Sequence, residues 1–351
     1  MKLSDFDYNL PEELIAQTPI EPRDNSRLLK LNRRNWEIQE DKFYSIFDEL
    51  WENDVLVINK TKVINARLHW KISSWRIIEI FLHKQVNDNT WDCLVYPWKK
   101  LKPWRKIKFS LPPLGGKYPE GDGGLTATIK EISEQWRIIE FNKWWIEFLE
   151  IIEKLWEIPL PPYIKDKIEN TDRYQTVFNE ISWSVAAPTA WLHFTPELIE
   201  KLENKWVKIE KVLLHVWLGT FMWIKTENIL EHNMHSEYIE LDKETSERLN
   251  KYKQSWKRII AVWTTSIRVL ESFSDKEWIL SHWHKETDIF IYPWYKWKCV
   301  DSIITNFHLP KSTLLMLVSS FAWKNNIDNA YQYAIKNNFR FFSFWDAMWI
   351  K

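Results

Sequence analysis

Glycine is the residue that this sequence lacks most. The chain has 351 residues, of which only 6 are glycine and 25 are tryptophan. At the usual glycine frequency of about 7%, a chain of this length would hold roughly 25 glycines. The two counts therefore look exchanged, which excludes an ordinary composition. The positions of the tryptophans are therefore informative.

Several tryptophans stand where glycine is favoured. Four helix-like segments run into a tryptophan just before the next element, at Trp51, Trp156, Trp206 and Trp256. At the first position beyond a helix the backbone often turns through positive φ, where a residue without Cβ is preferred. We hypothesise that UGA codons are read as glycine in the source organism and that most of these tryptophans stand for glycine. The alternative is a truly tryptophan-rich protein. Trp91, in the alternating segment NTWDCLVY, fits a strand and is expected to be genuine.

Cysteine, long apolar runs and an excess of charge are also missing. Cys93 and Cys299 lie singly in apolar segments without CxxC spacing, which argues against a disulfide framework or structural zinc and fits a reducing compartment. No apolar stretch approaches the roughly 18 residues that span a bilayer. The acidic N-terminal segment also lacks the features of a signal peptide. We therefore expect a cytoplasmic protein without membrane contact.

Charge is balanced, with 48 basic and 48 acidic residues. Any contact with nucleic acid must therefore come from a local patch. The segment WKKLKPWRKIKF provides one, because it holds six cations and no acid. Two interpretations of this basic segment are open. It binds a phosphate backbone, or it is an ordinary solvent-exposed face. The six residues are Lys99, Lys100, Lys102, Arg105, Lys106 and Lys108.

Helix-like and strand-like segments alternate over most of the chain, which predicts an α/β fold with helices covering a largely buried sheet. Between about Arg67 and Phe148 short alternating runs around the turn SLPPLGGKYPEGDGG replace this pattern, as is typical of a small antiparallel β domain. We predict a layered, discontinuous α/β main domain of residues 1–66 and 149–351 with an inserted antiparallel β-barrel domain of residues 67–148. The main-domain segments include RLLKLN, DKFYSIFDEL, DVLVIN, WIEFLEIIEKL, FTPELIEKLENK, KVLLHV, KETSERLNKYKQS, KRIIAV, TSIRVLESFS, TDIFIY, CVDSIITNF and KSTLLMLVSSFA.

The segment KRIIAVWTTSIRVLES, residues 257–272, combines a buried strand with an amphipathic helix. If Trp263 is glycine, the hydroxyls of Thr264, Thr265 and Ser266 and the backbone N–H groups meet at the helix N-terminus. Such an end binds carboxylates or phosphates well. An ordinary helix cap is the alternative interpretation.

A second loop, SVAAPTAWLHFTPE, precedes a predicted helix that begins with Thr195 as N-cap and Pro196 at its first position. Small residues in this loop, among them Ala187 and Thr189, leave room for a flat group to approach the backbone. His193 lies just ahead of the helix, where catalytic groups concentrate. A satisfied structural histidine is the alternative.

A third loop, LLHVWLGTF, places His215 within a buried strand and Gly219 just beyond it. For His215 a core position and a functional one are both open. In the following EHNMHSEYIEL, His232 and His235 are three residues apart without a clear third ligand, so no metal is expected. His235 and Glu237 are better seen as acid/base or hydrogen-bonding candidates.

These loops resemble signature segments of the S-adenosylmethionine:tRNA ribosyltransferase-isomerase family. The resemblance covers the whole chain and includes SVAAPTAWLHFT, HVWLGT, HSEYIE, AVWTTSIRVLES and ITNFHLPKSTLLMLVSSFAW. The family's usual N-D-T-R-V-I-P-A-R appears here as NKTKVINAR, which loses an acid at Lys60 and a proline at Asn65, so no role is assigned to either residue by analogy. In the family, glycine occupies the positions of Trp191, Trp217, Trp263, Trp294, Trp323 and Trp345.

The resemblance implies an enzyme that uses S-adenosylmethionine as a ribosyl donor. Its ribosyl group is transferred and isomerised onto 7-aminomethyl-7-deazaguanine at the wobble position of tRNA, which gives epoxyqueuosine-tRNA, adenine and methionine. S-adenosylmethionine is a co-substrate, and no other cofactor or metal is implied. We expect the chain to act as a monomer.

Such a site must remove a C5′ proton, assist departure of adenine, keep the attacking amine neutral and stabilise opening and reclosure of the ribose. Residues that exchange protons near neutrality suit the first three tasks. The candidate catalytic residues are His193, His215, His235, Glu237 and Asp288. Thr264, Thr265 and Ser266 are the candidates for holding the methionine carboxylate, and Ala187, Thr189 and Gly219 are the other candidates for contacts with S-adenosylmethionine.

Two other functions are weighed against this one. A tRNA-binding protein without catalysis would use the basic segment but leave the three loops after buried strands without a purpose. A conventional methyltransferase is disfavoured because no G-x-G-x-x-G follows a strand, even with tryptophan replaced by glycine. Release of adenine separates the enzyme from both alternatives.

Overall fold

The computed structural model describes residues 1–18, 20–63, 67–71, 77–96, 102–108, 125–133, 136–144, 147–148, 151, 181–184, 193–216, 224, 226–341 and 346–351. Contacts between residues divide the chain into two compact units. The first unit is Met1–Lys62 with Pro162–Lys351, and the second is Val63–Pro161. The domain boundaries at 66/67 and 148/149 stay a prediction.

The described α-helices are α1 (Ile46–Glu49), α2 (Pro196–Asn204), α3 (Lys243–Gln254), α4 (Thr264–Phe273), α5 (Thr313–Ala322) and α6 (Lys324–Lys336). Short 3-10 helices cover Leu3–Phe6, Glu12–Leu14, Arg23–Asn25, Phe43–Ser45 and Ile229–Glu231. The described strands are β1 (Arg27–Leu31), β2 (Ile38–Lys42), β3 (Asp54–Asn59), β4 (Thr61–Val63), β5 (Arg67–Lys71), β6 (Ile77–Asn87), β7 (Thr90–Tyr96), β8 (Lys106–Lys108), β9 (Thr126–Ser133), β10 (Trp136–Phe141), β11 (Ile181–Ser184), β12 (Lys208–Leu214), β13 (Glu237–Leu241), β14 (Arg258–Val262), β15 (Trp283–Thr287), β16 (Ser302–Asn306) and β17 (Ala347–Ile350).

The first unit is built on a nine-stranded mixed sheet in the order β15-β13-β12-β3-β14-β16-β17-β1-β2. Its centre is parallel, since β12 pairs with β3, β3 with β14 and β14 with β16 in the same direction. Antiparallel pairs flank this centre, β13 against β12 on one side and β17 against β16 on the other. The predicted α/β class is confirmed.

Helices cover both faces of the parallel centre, which explains why β3 is buried along its whole length. Leu56 and Ile58 point to one face, where they share a core cluster with Leu198 and Leu202 of α2. On the other face α4 packs against β12, β3, β14 and β13. Each fully buried Leu or Ile side chain of this core stabilises the fold by about 1.5–3 kcal/mol.

Helix α2 begins as its sequence predicts. Thr195 is the N-cap, its side-chain oxygen accepts a hydrogen bond from the backbone N–H of Leu198 at 3.1 Å, and Pro196 occupies the first helical position. This bond satisfies one of the N–H groups that a helix leaves without a partner at its N-terminus.

The predicted helix DKFYSIFDEL, residues 41–50, is confirmed over residues 43–49, where a 3-10 helix (Phe43–Ser45) continues into α1 (Ile46–Glu49). Its first two residues belong to β2 instead. One segment prediction was wrong. The segment TDIFIY, residues 287–292, contributes only Thr287 to a strand, since β15 lies upstream of it. The predicted helix WIEFLEIIEKL lies largely outside the described residues.

The second unit is a six-stranded antiparallel sheet in the order β5-β6-β7-β10-β9-β8. Trp91 of β7 is fully buried, in agreement with its expected role as a strand residue. Strands β5 and β8 end the order, and no pair in the described part of the sheet closes it into a barrel. Strand β11, which belongs to the first unit, pairs with β4 in a further two-stranded sheet.

Neither cysteine is bonded in a disulfide. Cys93 and Cys299 are both buried, and burial raises the pKa of both thiols, that of Cys299 to about 12. Within the part of the chain that is described, no helix is long and apolar enough to cross a membrane.

Candidate active site

One edge of the nine-stranded sheet gathers most of the polar residues that the sequence singles out. The parallel strands β3, β12, β14 and β16 all end at this edge, which we call the carboxyl edge. Because β13 runs the other way, its first residue, Glu237, lies at the same edge and pairs with Thr287, the last residue of β15. In open α/β sheets, ligands bind in the crevice outside the carboxyl ends of the strands.

The N-terminus of α4 lies at this edge, directly after β14. Thr264, Thr265 and Ser266 are all buried there, and Trp263 stands at the N-cap. The hydroxyl of Ser266 donates to the carbonyl of Val262 at 2.8 Å, so its proton is directed back toward the strand. The N-terminus of α4 thus offers a buried positive dipole end to the carboxyl edge.

Asn59, the last residue of β3, connects α4 to the neighbouring strand. Its amide nitrogen donates to the carbonyl of Leu214 at 2.9 Å and to the hydroxyl of Thr265 at 3.3 Å. Its amide oxygen accepts from the backbone N–H groups of Leu214 and Thr61, both at 3.2 Å. Asn59 therefore fixes the relative positions of the ends of β3 and β12 and the start of α4.

His215 follows β12 and is buried beside β3, the strand that ends at Asn59. Its Nδ1 lies 3.2 Å from the hydroxyl of Thr61, and its ring stacks on Tyr238 with centroids 5.4 Å apart. Burial lowers the pKa of His215 to about 4, so the imidazole is neutral at pH 7. A neutral imidazole can both donate and accept a hydrogen bond.

Glu237 and Arg268 form a buried ion pair at the same edge. Arg268 lies one turn into α4 and also donates to the carbonyl of Thr287 at 3.4 Å. Burial lowers the pKa of Arg268 to about 10, opposed by the charge of Asp288. At neutral pH the guanidinium is charged, and it lies against the carboxyl group of Glu237. Asp288 itself is exposed, and so is His235, two residues before β13.

His193 lies near the end of β16 and is held from both sides. Its Nδ1 is 2.8 Å from the hydroxyl of Ser26, and its Nε2 is 3.3 Å from the amide oxygen of Asn306. Burial lowers the pKa of His193 to about 4, against the opposing effect of the bond to Asn306. This arrangement supports the structural interpretation of His193 that the sequence left open.

The carboxyl edge thus brings together His215, Glu237, Asp288, Thr264 and Thr265. Three further candidates, Ala187, Thr189 and Gly219, lie outside the described residues. In the second unit Lys102, Arg105 and Lys106 are exposed, and Lys108 belongs to β8. Lys99 and Lys100 lie outside the described residues.

Sequence reasoning missed three residues that shape this edge, namely Asn59, Asn306 and Arg268. Asn59 and Asn306 each end a buried apolar strand, and a polar residue in that position is the signal that could have found them. Arg268 was hidden because a cation inside an amphipathic helix normally faces solvent. Among the described residues, no group of three or more His, Cys, Asp or Glu side chains could hold a metal ion.

Backbone conformation separates the tryptophans into two groups. Within the described residues, nine of the eleven non-glycine positions with positive φ are tryptophan. Trp206, Trp256, Trp263, Trp294 and Trp323 are among them, as the glycine hypothesis predicts. The four others are Trp36, Trp104, Trp278 and Trp283.

One predicted position is wrong. The φ of Trp51 is not positive. Leu50, the C-cap of α1, already has an extended backbone, so the chain leaves the helix without a left-handed residue. Trp156, Trp191, Trp217 and Trp345 lie outside the described residues. All six glycines also lie outside them, so every left-handed corner of the described chain carries a side chain.

Comparisons with known proteins agree with one another. A family model described as queuosine biosynthesis protein matches residues 3–350. The S-adenosylmethionine:tRNA ribosyltransferase-isomerase of Carboxydothermus hydrogenoformans is 48% identical over 350 residues, which cover 100% of this chain and 100% of that protein. A crystal structure of S-adenosylmethionine tRNA ribosyltransferase from Thermotoga maritima has a TM-score of 0.55 and 35% identity, and the match covers 99% of this chain and 100% of that one. The chain therefore belongs to the queuosine biosynthesis protein family.

Proposed function

We propose that this chain is an S-adenosylmethionine:tRNA ribosyltransferase-isomerase. It transfers and isomerises the ribosyl group of S-adenosylmethionine onto 7-aminomethyl-7-deazaguanine in tRNA, and it releases adenine and methionine. The observation that carries the proposal is the carboxyl edge, where a buried helix N-terminus, a neutral histidine and a glutamate in contact with Arg268 lie on adjacent strands and α4. The full-length match to a relative with that name supports it.

For the donor we propose that the N-terminus of α4 holds the methionine carboxylate. Thr264 and Thr265 are buried there, and the positive end of the helix dipole favours an anion. Ser266 contributes less, because its proton is already donated to Val262. Ala187, Thr189 and Gly219 remain proposed contacts for the rest of the donor.

For proton transfer we propose Glu237 and His215. Glu237 is the carboxylate that accepts the C5′ proton, and its ion pair with Arg268 fixes its position. His215 is neutral at pH 7, so it can hydrogen-bond to the departing adenine or to the attacking amine without adding charge. Asp288 and His235 are exposed at the same edge and are proposed to act on the RNA side. His193 is proposed to position Asn306 rather than to exchange protons.

The glycine hypothesis bears directly on this site. The N-cap residue of α4 has φ 74° and ψ 158°, a region that is essentially restricted to glycine. The indole written at position 263 is buried at the carboxyl edge. We propose that the authentic residue is glycine, which frees the space of the indole next to Thr264.

We further propose that tRNA is the partner, with phosphate contacts from Lys99, Lys100, Lys102, Arg105, Lys106 and Lys108. The three of these whose side chains are described, Lys102, Arg105 and Lys106, are exposed. The enzyme is proposed to act as a monomer in the cytoplasm, which fits its two free thiols.

The experiment is an incubation of the protein with S-adenosylmethionine and tRNA that carries 7-aminomethyl-7-deazaguanine. Chromatography should detect adenine and methionine in equal amounts, together with a mass increase in the anticodon nucleotide. Formation of S-adenosylhomocysteine without adenine would identify a methyltransferase instead. Binding of tRNA with neither product would favour the non-catalytic alternative.

A further inference from the structure

A cleft lies at the edge of the nine-stranded sheet opposite the carboxyl edge. Arg258 begins β14 there, and Arg33 and Arg34 follow β1. Because β17 is antiparallel to β16 and parallel to β1, the ends of β1 and β17 meet the beginnings of β14 and β16. The cleft has a volume of about 1070 Å³. We call it the amino-edge cleft.

The amino-edge cleft concentrates positive charge on a chain whose formal net charge is zero. Seven cationic side chains and one acidic side chain line it. They are Arg33, Arg34, Lys253, Lys257, Arg258, Lys298 and Lys351, with Asp301 as the acid. A cleft lined by one sign of charge raises the local concentration of oppositely charged ligands.

Three of the cations are compensated by carboxylates. Lys253 lies 2.6 Å from Asp301, Arg258 lies 2.7 Å from Asp54, and Lys351 pairs with Glu49. These pairs hold the walls of the cleft but add little net charge to it.

The other four cations form no ion pair with any carboxylate in the described part of the chain. Lys257 and Lys298 donate to backbone carbonyls, the latter to that of Ser274 at 2.6 Å. The guanidinium of Arg33 lies 3.9 Å over the ring of Phe321. Arg34 is exposed beside it. These four cations therefore have no described carboxylate within ion-pair distance, although the charge of Asp301 also acts on Arg33.

We propose that the amino-edge cleft is a second binding surface for the phosphate backbone of the tRNA substrate. The inference rests on the proposed function, because it assumes that the partner is tRNA. A row of Lys and Arg side chains binds a phosphate backbone by releasing its condensed counterions, without reading sequence. The carboxyl edge then receives the reacting nucleotide, while the opposite edge holds a neighbouring stretch of backbone.

The dimensions fit one RNA arm reaching both edges. The five residues of β14 run from one edge to the other, which corresponds to about 17 Å. A nucleic-acid stem advances about 3 Å per base pair, so roughly six base pairs cover that length. One helical stem can therefore extend from the carboxyl edge to the amino-edge cleft.

Four tryptophans also line the cleft, namely Trp36, Trp256, Trp278 and Trp323, and all four have positive φ. If they are glycine in the authentic protein, the cleft is wider by the space of the four indoles. The four cations without an ion-pair partner are the same in both cases.

The test compares tRNA binding by the full-length protein and by the variant Arg33→Glu/Arg34→Glu. Filter binding of a tRNA transcript gives the affinity and its salt dependence. The salt concentration is varied from about 50 to about 200 mM, a range in which the affinity of proteins that contact phosphates changes strongly. We expect at least a tenfold loss of affinity and a slope of log affinity against log salt that is shallower by about 1–2. The maximal rate of adenine release at saturating tRNA and the KM for S-adenosylmethionine should not change.

Lys243→Glu/Lys336→Glu is the matched control, since it makes the same change in net charge at two exposed positions elsewhere in the first unit. If Arg33→Glu disturbs the packing on Phe321, Arg34→Glu alone should still lower the affinity and the slope. Equal affinity and slope in variant and control would overturn the inference. If the unmodified protein releases no adenine, the proposed function fails instead, whatever the variants bind.

Discussion

At the scale of single residues, the backbone of this chain distinguishes two kinds of tryptophan. Trp256 is 93% exposed and has φ 60°, so its indole contacts almost nothing while its Cβ opposes the left-handed conformation. Trp349 is fully buried in β17, and its Nε1 donates to the hydroxyl of Ser302 at 2.7 Å. Of these two residues, only Trp349 stabilises the fold through burial of its side chain.

The same substitution should therefore have opposite effects at the two positions. We expect Trp256→Gly to raise the free energy of unfolding by about 1 kcal/mol, because glycine adopts positive φ without strain. Trp349→Gly should lower it by about 3–5 kcal/mol through loss of buried surface and a cavity. Urea unfolding of both variants gives the two values. A destabilisation at position 256 similar to that at 349 would contradict the glycine hypothesis.

The sequence could identify several positions with positive φ, because the excess of tryptophan over glycine and the location of tryptophans at predicted helix ends both indicated them. It could not resolve which histidines exchange protons, because that depends on contacts between distant segments. His193 meets Ser26 and Asn306, residues 167 and 113 positions away. Likewise, the ion pair of Glu237 with Arg268 depends on the pairing of β13 and the packing of α4, neither of which a local pattern specifies.

At the scale of elements, the sequence predicted buried strands and capped helices, but it did not predict the outermost strand of the sheet. Strand β3 reads as a continuous apolar run because it is covered on both faces. Strand β15, WHKET, lies at the end of the sheet, and four of its five residues are exposed, so it carries no apolar signal. The apolar residues of TDIFIY therefore suggested a strand slightly downstream of the true one.

The cap of α2 gives a prediction at this scale. Thr195→Ala removes the acceptor for the N–H of Leu198, so we expect a loss of about 1 kcal/mol in the free energy of unfolding. Thr195→Ser keeps the oxygen and should lose much less. Thermal or urea unfolding measures both, and adenine release per folded enzyme should stay near normal in each. Equal stability of the alanine and serine variants would show that the cap contributes nothing.

At the scale of the whole molecule, burial of neutral histidines makes the fold sensitive to acid. Burial lowers the pKa of His193 and His215 to about 4 and that of His308 to about 3. In the unfolded chain these groups titrate near 6.5. Between pH 6.5 and 4 the unfolded state therefore binds more protons, so stability is present above this range and is lost as the pH falls through it.

We expect the free energy of unfolding to fall by about 2 kcal/mol for each such histidine between pH 7 and pH 5. Urea unfolding at several pH values measures the slope. His193→Gln keeps a polar side chain of similar length but cannot be protonated. The fall in its free energy of unfolding with pH should therefore be smaller by the contribution of one histidine. An identical slope in this variant would mean that His193 titrates normally in the folded protein.

The topology of the sheet explains why the candidate residues converge. Four parallel strands end side by side, and two antiparallel strands bring Glu237 and Thr287 to the same edge. The alternation of helices and strands predicted such a sheet, but the order of its strands came only from the structure. Residues as far apart as Asn59 and Asp288 therefore lie at the same edge of the sheet, an arrangement that no local motif could define.

The most direct measurement of this site is the KM for S-adenosylmethionine of Thr264→Val/Thr265→Val, followed by adenine release at saturating tRNA. These substitutions keep the shape of the side chains and remove the hydroxyls that we propose to hold the methionine carboxylate. We predict that the KM rises at least tenfold, whereas Thr313→Val, at the same position of α5, leaves it unchanged. An unaltered KM and rate in the double variant would contradict the placement of the donor at the N-terminus of α4.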